Sequence, residues 1–498
     1  MFNWLANLFA AKSTRPTSGR TLRLVRARYD AASTSDDNRR HWANADGLSA
    51  NAANSPDVRR VLRNRARYEV ANNSYARGIV LTLGHDVVGT GPRLQLLTTN
   101  ADANNRIEHE FGRWAKAIGL AEKLRTMRLA RAEDGEAFAV LTSNPRLATQ
   151  VTLDLKLIEA DQVTTPDLNP LERNIDGIVF DEAGNPVEYH VLKQHPGDNR
   201  FGFAMLPSDY ERLPAESVIH WFRTDRPGQA RGIPDIMPAL PLFAQLRRFT
   251  LAVLAAAETA ADFAGILYTD APANGEADAA EPFEPIELEK RALLTMPGGW
   301  KMSQMEAEQP STTYGEFKRE ILNEIARCLN MPANVARADS SGYNYASGRL
   351  DHQTYFKAIR VEQSHLECIV LDRILAAWLD EAALIPGLLP EGLPPIGTWE
   401  HQWFWDGNEH VDPAKEATAQ ATRLTNHTTT LAEEYARRGL DWEEQLRQRA
   451  KEIALLKELG ITAAAQPVAA PEGEPDDEPD AEPDDEPAED QTEVANAA

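Results

Sequence analysis

Apolar residues change their spacing twice along the chain, and each change marks a different kind of element. Up to about residue 130 the spacing is helical, with apolar residues three and four positions apart. Between residues 137 and 222 it shortens into five segments rich in β-branched and aromatic residues, at 137–142, 151–158, 177–180, 187–192 and 217–222. A turn-forming sequence, 181–186, separates the third segment from the fourth. This part of the chain predicts a small antiparallel β-unit.

Long helical patterns return after residue 232. Ile233-Pro234-Asp235 opens an alanine-rich helix over 235–263, since proline is tolerated in the first turn of a helix. A second helix, 313–330, carries an apolar stripe at Phe317, Ile321, Ile325 and Leu329. Its other face is mixed in charge and includes Lys318, Glu320, Glu324 and Arg327. Between these helices, 268–289 is rich in proline and acidic residues, which predicts an exposed insertion.

The C-terminal part adds one more long helix, a strand and shorter helices. The long helix is predicted at 347–382, and a proline-rich connector follows at 386–395. Aromatic and polar residues then alternate over 399–406, which predicts a strand whose tryptophans belong to the core rather than to a base-stacking platform. Helices are predicted at 431–438 and 442–459, the latter capped by Asp441 and ended by Gly460.

Charge is distributed unevenly. The net charge of the 498-residue chain is −24, and 467–498 contributes −13 because it has thirteen acidic and no basic residues, so the rest carries −24 + 13 = −11. We expect this acidic tail to be disordered. Residues 1–67 carry thirteen basic residues and five aspartates, a net +8. Within them, Arg59, Arg60, Arg63, Arg65 and Arg67 form either a solvated helix face or a contact for an acidic partner or phosphate.

Several function classes are disfavoured by the sequence. The longest apolar helix candidate, 249–257, is far shorter than the ~20 residues of a membrane span, and 1–11 lacks the basic start of a signal peptide, so we expect no membrane contact and no secretion. Cys328 and Cys368 are too few and too far apart for a disulfide framework or a zinc motif, and are predicted to be buried free thiols.

Enzymatic motifs are also missing. The sequence contains no GxxxxGK[ST] and no HExxH, and the glycines at 89 and 91 predict only a tight turn. Glu133, Asp134 and Glu136, or His401 with His410, could in principle hold a metal, but loop carboxylates and paired histidines are common without one. We therefore predict no catalytic residues, no cofactor and no metal.

Six short motifs, in family order over roughly residues 20–450, are similar to the lambda-like portal family of tailed phages. They are Asn73 to Arg77 with Val87 to Pro92; Arg131 to Phe138; Gly232-Ile233-Pro234; Glu324 to Arg327 with Met331-Pro332 and Ser341 to Ser347; His410 to Pro413 with Lys415 to Ala417; and Gly439 to Glu444. The resemblance implies an α+β, mostly helical portal fold. The acidic tail and the tip of the insertion lie outside it.

The resemblance divides the chain into the regions of a portal subunit. They are a wing of N-terminal helices and β-unit (1–234), a first stem helix (235–263), a clip (264–312), a second stem helix (313–331), a tunnel loop with a long wing helix (332–385), a C-terminal strand with crown helices (386–466) and the acidic tail (467–498).

The family also implies a function and a set of partners. Portal subunits form a ring of twelve at one capsid vertex, and double-stranded DNA is packaged and ejected through it. The implied partners are the large terminase subunit, the major capsid and scaffold proteins and a head-completion or connector protein. The implied location is the virion, with the host cytoplasm during assembly.

Two sets of residues are predicted to face the DNA. The first is the tunnel loop, Asp339, Ser340, Ser341, Gly342, Tyr343, Asn344 and Tyr345, although an ordinary helix–helix loop has the same composition. The second is the mixed stem face, Lys318, Glu320, Glu324 and Arg327. Two other functions stay open: a DNA-processing enzyme of the packaging machinery, either nuclease or ATPase, and a capsid structural protein without a channel.

Overall fold

The computed structural model describes residues 35–36, 38–165, 174–198, 210–262, 266–269, 300–303, 313–342, 345–407 and 413–461. These residues form an α+β fold that is mostly helical, as the sequence predicts. The acidic tail and most of the insertion lie outside the described residues.

The helices and strands are numbered here in chain order. The helices are α1 Ala50–Ala53, α2 Pro56–Asn72, α3 Ser74–Val88, α4 Ala101–Ala117, α5 Leu120–Asp134, α6 Leu240–Asp262, α7 Thr313–Arg327, α8 Ala333–Arg337, α9 Tyr345–Leu366, α10 Asp372–Ala383, α11 Pro413–Thr425, α12 Leu431–Ala436 and α13 Trp442–Glu458. The strands are β1 Arg93–Leu96, β2 Glu136–Ser143, β3 Leu153–Ile158, β4 Asn174–Ile175, β5 Ile178–Phe180, β6 Pro186–Leu192, β7 Tyr210–Pro214, β8 Val218–Phe222, β9 Ile266–Thr269, β10 Trp300–Ser303 and β11 His401–Phe404.

The predicted β-unit consists of two antiparallel sheets. One has the strand order β3-β2-β8 and the other β4-β5-β6-β7. The first five residues of the central strand β2, Glu-Ala-Phe-Ala-Val, are buried. Four of them are apolar, as expected in a core, and the exception is Glu136. Strand β7 was not predicted, because Tyr210–Pro214 is largely exposed and carries two charged residues, so it has no apolar alternation to detect.

Helices α2, α3 and α5 pack together, and the later helices α9 and α10 lie against the same core. Strand β11 pairs with β1, so Phe404 lies opposite Arg93 and the C-terminal part is joined to the first hundred residues. Trp403 and Trp378 pack around Phe111, with ring centroids 5.8 and 5.5 Å from it. The aromatic row of β11 is therefore core, as predicted.

The long helix predicted at 347–382 contains an interruption. Helices α9 and α10 are continuous through a π-helical turn, Glu367–Leu371. Side chains from β11 and the residue after it bind this turn: Trp405 Nε1 donates to Glu367 at 2.5 Å, and Trp403 Nε1 donates to Asp372 at 3.0 Å. Cys368 lies in the turn and is exposed, so the prediction of a buried thiol was wrong there, whereas Cys328 is partly buried.

Helix α6 begins at Leu240, after a 3₁₀ turn at Met237–Ala239, rather than at residue 235. The segment Met237–Thr259 is long and apolar enough to cross a membrane by length and composition alone, a property that the search for an unbroken apolar run missed. In its first half Leu240, Phe243 and Leu246 are buried in the core, but Leu251 and Leu254 are 57% and 54% exposed. Strands β9 and β10 form an antiparallel pair, with Trp300 opposite Thr269.

Candidate functional site

The predicted tunnel loop joins α8 to α9. Helix α8 ends at Ala338, which takes a left-handed conformation (φ 51°), and Gly342 does the same (φ 84°). Between them the Asp339 carboxylate accepts hydrogen bonds from the Ser341 amide at 2.9 Å and the Ser341 hydroxyl at 2.6 Å. These bonds give the loop a defined turn, and its residues from Asp339 to Gly342 are exposed.

This loop carries a negative charge. The hydrogen bonds from Ser341 lower the pKa of Asp339, and the nearby Arg337 and Arg319 guanidinium groups lower it further. Tyr343 and Asn344 lie outside the described residues, and Tyr345 is the first residue of α9 rather than a loop residue.

The four residues of the predicted stem face do not lie together. Glu320, Glu324 and Arg327 are exposed on one side of α7. Lys318 lies on the opposite side, with its Nζ 5.0 Å from the centre of the Tyr75 ring on α3. At about 100° per residue, 318 and 320 are about 160° apart, so grouping them as one face was a periodicity error.

The arginine cluster of α2 divides into two sets: Arg60 and Arg65 are exposed, as in a solvated helix face, whereas Arg59, Arg63 and Arg67 are not. Arg59 and Arg63 are only 2% and 5% exposed. Arg59 pairs with Asp176, Arg63 pairs with Asp161 at 2.7 Å, and Arg67 pairs with Asp134 at 2.6 Å. These side chains therefore bind acidic partners inside the same subunit, which a helix-period count on α2 alone cannot reveal.

Glu136 is the centre of this buried ion cluster. Its oxygens accept from Arg231 Nη2 at 2.7 Å and Nε at 2.9 Å, from His220 Nε2 at 3.0 Å and from the Gly232 amide at 3.1 Å. Burial alone would raise the pKa of Glu136, but Arg231 and the His220 hydrogen bond outweigh it and hold that pKa well below its ordinary value. A carboxylate already bound by four donors is poorly placed to hold a metal ion.

A group of three residues that the sequence did not single out lies beside this cluster. Glu159, Asp161 and His195 bring ligand atoms within 4.8 Å of one another. The guanidinium of Arg67 lies among them, 2.9 Å from Asp161 and 3.3 Å from Glu159, and Arg63 also pairs with Asp161. Because two arginines already pair with these carboxylates, we assign the group to the ion cluster.

A second buried cluster lies just before α6. Asp235, 2% exposed, pairs with Arg128 at 3.0 Å and with Arg223 at 3.0 Å. Arg128 and Arg131 also pair with Glu362 of α9. Helix α5, the segment before α6 and helix α9 are thus joined by ion pairs. Sequence reasoning missed this cluster, although Arg131 and Pro234, the neighbour of Asp235, both lie in motifs.

The structure explains why two of the motif positions are glycine. Gly135 ends α5 with φ 89°, and the backbone of Ile233 lies directly against it. A Cβ on Gly232 would collide with the carbonyl oxygen of Gly135. The two backbones approach so closely that only glycine fits at either position.

Comparisons with known proteins identify the family. The model of the phage portal protein, lambda family, matches residues 36–363, about two-thirds of the chain. A probable portal protein of Halomonas phage phiHAP-1 is 27% identical over 432 residues, covering 80% of this chain and 81% of that protein. The portal protein of Escherichia phage N15 is 23% identical over 489 residues, covering 86% of this chain and 90% of that protein.

Among solved structures, a chain from the neck of an empty gene transfer agent particle, computed with C6 symmetry, is 14% identical. The match covers 75% of this chain and 92% of that chain, with a TM-score of 0.45. The motifs after residue 400 lie beyond the family-model match. On the match to residues 36–363, the chain belongs to the lambda family of phage portal proteins.

Proposed function

We propose that twelve copies of this portal protein form a closed ring at one capsid vertex, through which double-stranded DNA enters and leaves the head. The observation that carries the proposal, beside family membership, is a pair of apolar side chains on α6 that the described residues leave exposed. Leu251 and Leu254 are 57% and 54% exposed. A neighbouring subunit in a ring would cover these side chains, because ring closure places one face of each copy against a different face of the next.

The exposed charges of α7 suit a channel wall. Duplex DNA carries one negative charge per ~1.7 Å of axis, so a ring of unpaired basic residues would bind it tightly and oppose sliding. Glu320, Glu324 and Arg327 instead offer two acidic groups and one basic group, and Arg327 also donates to Asn330 at 3.1 Å. Lys318, which the sequence predicts on this face, contacts the Tyr75 ring instead.

The tunnel loop contributes a further contact in this proposal. Asp339 presents a carboxylate, and Ser340, Ser341 and Gly342 present small exposed groups. A phosphate backbone would be repelled by Asp339 and touched only through small polar groups and the tyrosine rings of Tyr343 and Tyr345. Such contacts are weak and easily broken, which is what a moving duplex requires.

The other partners follow from the regions of the subunit. The acidic clip, 264–312, is the proposed docking site of the large terminase subunit. The wing would contact the major capsid and scaffold proteins, and a head-completion or connector protein would bind after packaging. Assembly would take place in the host cytoplasm, before the ring becomes part of the virion.

Negative-stain electron microscopy of the purified full-length protein tests the ring. We expect annular particles with a central hole, and native mass measurements that correspond to twelve subunits. Dispersed or non-annular particles would contradict the proposal. Turnover of ATP or plasmid DNA in the presence of magnesium by the same preparation would favour a DNA-processing enzyme instead.

A further inference from the structure

The base of the tunnel loop is held by one buried side chain, that of Asn334. This residue lies in α8 and is 6% exposed. Its Nδ2 donates a hydrogen bond to His352 Nε2 on α9 at 3.1 Å, and its carbonyl oxygen accepts from the Asp339 amide at 3.0 Å. A single residue therefore binds both the chain that enters the loop and the helix that leaves it.

The packing of α9 places His352 for this bond. Tyr355 and Ile359 are buried and lie on the same side of α9 as His352, which continues their stripe towards the loop. Helices α8 and α9 both pack on α3, where the Tyr355 hydroxyl donates to Asp86 at 2.7 Å. The bond between Asn334 and His352 thus joins two helices that rest on a common support.

Stability alone does not explain an asparagine at this position. Asn334 Oδ1 is buried and has no hydrogen-bond partner among the described residues. A buried polar atom without a partner destabilises the fold, and a leucine, which has a similar shape, would avoid that cost. The asparagine therefore indicates a role that leucine cannot fill, which is the hydrogen bond to α9.

The described part of the loop is already ordered on its α8 side. Arg337 Nε donates to the Ala333 carbonyl at 3.1 Å, and the Ser341 amide donates to the Asp339 carboxylate at 2.9 Å. Towards α9 the bond from Asn334 stands alone, because no other side-chain hydrogen bond joins 333–342 to the described side chains of 348–366. This bond therefore holds the turn at 339–342 in place relative to α9.

We infer that Asn334 and His352 are positioning residues of the tunnel loop, and that their hydrogen bond sets how far 339–342 reaches towards the duplex. The inference rests on the proposed function, in which this loop touches moving DNA. A loop held in one position makes its weak contacts without an ordering cost. A loop released from α9 must be ordered anew whenever it meets the duplex, so it holds DNA less well.

Two substitutions at His352 separate the hydrogen bond from packing. His352→Phe keeps a ring against Phe356, whose centroid is 5.6 Å from that of His352, and removes the acceptor. His352→Gln removes the ring, but its Oε1 can accept from Asn334. In the full-length protein, we expect amide hydrogen exchange over 338–342 to become roughly fivefold faster in His352→Phe, the factor that corresponds to one net hydrogen bond. Exchange in His352→Gln should stay near the parent rate, and the opposite order would overturn the inference in favour of ring packing.

Asn334→Leu tests the same bond from the other side. It removes the amide together with the unpartnered Oδ1, so we expect a thermal unfolding temperature no lower than that of the parent, combined with the faster exchange of His352→Phe. Unchanged exchange over 338–342 in Asn334→Leu would overturn the inference. His109→Phe is the matched control, because His109 is exposed on α4, and it should alter neither quantity.

DNA retained in assembled heads distinguishes this inference from the proposed function. We expect His352→Phe and Asn334→Leu to form rings but retain several-fold less DNA, and His352→Gln to retain nearly as much as the parent. Normal retention in the first two variants, beside a loss in Tyr343→Ala with Tyr345→Ala, would overturn the positioning role and leave the tunnel loop as a DNA contact. Normal retention in every variant would remove the loop from the proposed function, and this inference with it.

Discussion

At the scale of single residues, buried charge is the feature that most distinguishes this subunit. Glu136 is fully buried and Arg231 is 1% exposed, and each depends on the other for neutralisation. Removing one partner of such a pair leaves an uncompensated charge in the interior, which costs far more than the pair itself contributes.

The variant Glu136→Gln keeps the shape of the side chain and removes its charge. We expect it to lower the free energy of unfolding by about 3–5 kcal/mol, measured by urea denaturation. Asp57→Asn is the matched control. Asp57 and Arg60 are both exposed, so their ion pair should contribute less than about 1 kcal/mol to the free energy of unfolding. Equal effects of the two variants would show that burial does not matter here.

The same variant has a pH signature. The pKa of Glu136 is lower in the folded chain than in the unfolded chain, where it is about 4.3. The carboxylate therefore contributes its full share to the free energy of unfolding above the unfolded pKa, and this share is lost as the pH falls through the folded pKa. The stability difference between the parent and Glu136→Gln should therefore be constant above about pH 5 and shrink in more acidic solution. A difference that grows on acidification would contradict this assignment.

Gly232 gives a second prediction at this scale. We expect Gly232→Ala to destabilise the fold by about 2 kcal/mol or more, because the added methyl group meets the Gly135 carbonyl and the backbone must shift. Gly78→Ala is the control: it lies in α3 with open space around it and should be stabilising by about 0.5–1 kcal/mol. Thermal unfolding of both variants measures the contrast, and a neutral Gly232→Ala would disprove the close approach.

At the scale of elements, the π turn is held by a strand that is distant in sequence. The Trp405 bond opposes the effect of burial and of Asp372, which raise the pKa of Glu367. Trp405→Phe should cost about 1–3 kcal/mol, because a half-buried carboxylate loses its donor.

Hydrogen exchange locates the effect of that variant. Amide exchange in 401–404 should become faster in Trp405→Phe, since β11 loses its attachment to the turn. Trp42→Phe changes an exposed ring and should alter neither stability nor exchange. Unchanged exchange in Trp405→Phe would mean that the β1–β11 pairing alone holds the strand.

At the scale of the whole molecule, assembly should depend on side chains that the single subunit does not need. Leu251→Asp with Leu254→Asp should abolish rings while leaving the far-ultraviolet circular dichroism of the subunit unchanged. Burying each leucine at an interface should stabilise the association of two subunits by about 1.5 kcal/mol or more. The double variant would lose this stabilisation at every subunit–subunit contact of the ring. Leu384→Asp, at an 82% exposed position outside the stem, is the control. Rings in the double variant would remove α6 from the interface.

The DNA contact is tested on the assembled particle. Tyr343→Ala with Tyr345→Ala should reduce the packaged or retained DNA per head several-fold without affecting ring formation. Ser340→Ala, in the same loop, is expected to have little effect because it removes only a hydroxyl. Normal packaging and retention in the tyrosine variant would show that the loop is an ordinary connection.

Much of this molecule could be predicted from local pattern. The long periodic helices, the strand at 399–406 and most strands of the β-unit are each recognisable from the apolar pattern of their own residues. The errors arose where a partner distant in the sequence decides the outcome. Arg59 and Arg63 looked like a charged surface because their acidic partners are about 100 residues away.

The candidate channel face shows the same limit. Periodicity places Glu320, Glu324 and Arg327 on one side of α7 and Lys318 on the other, but only the packing of α3 shows that Lys318 contacts Tyr75. The π turn has no sequence signal of its own, because one extra residue in a helical turn is stabilised by tryptophans that come more than thirty positions later.

The junction of Gly135, Gly232 and Asp235 has a mechanical consequence. The chain approaches α6 at a point where two backbones touch and where Asp235 is paired with Arg128 of α5 and with Arg223 at the end of β8. A force applied along α6 would reach the rest of the chain through this junction, where the close backbone contact and the buried ion pairs resist bending. In the proposed ring, we therefore expect α6 to move relative to the body at the 3₁₀ turn Met237–Ala239 rather than at the junction itself.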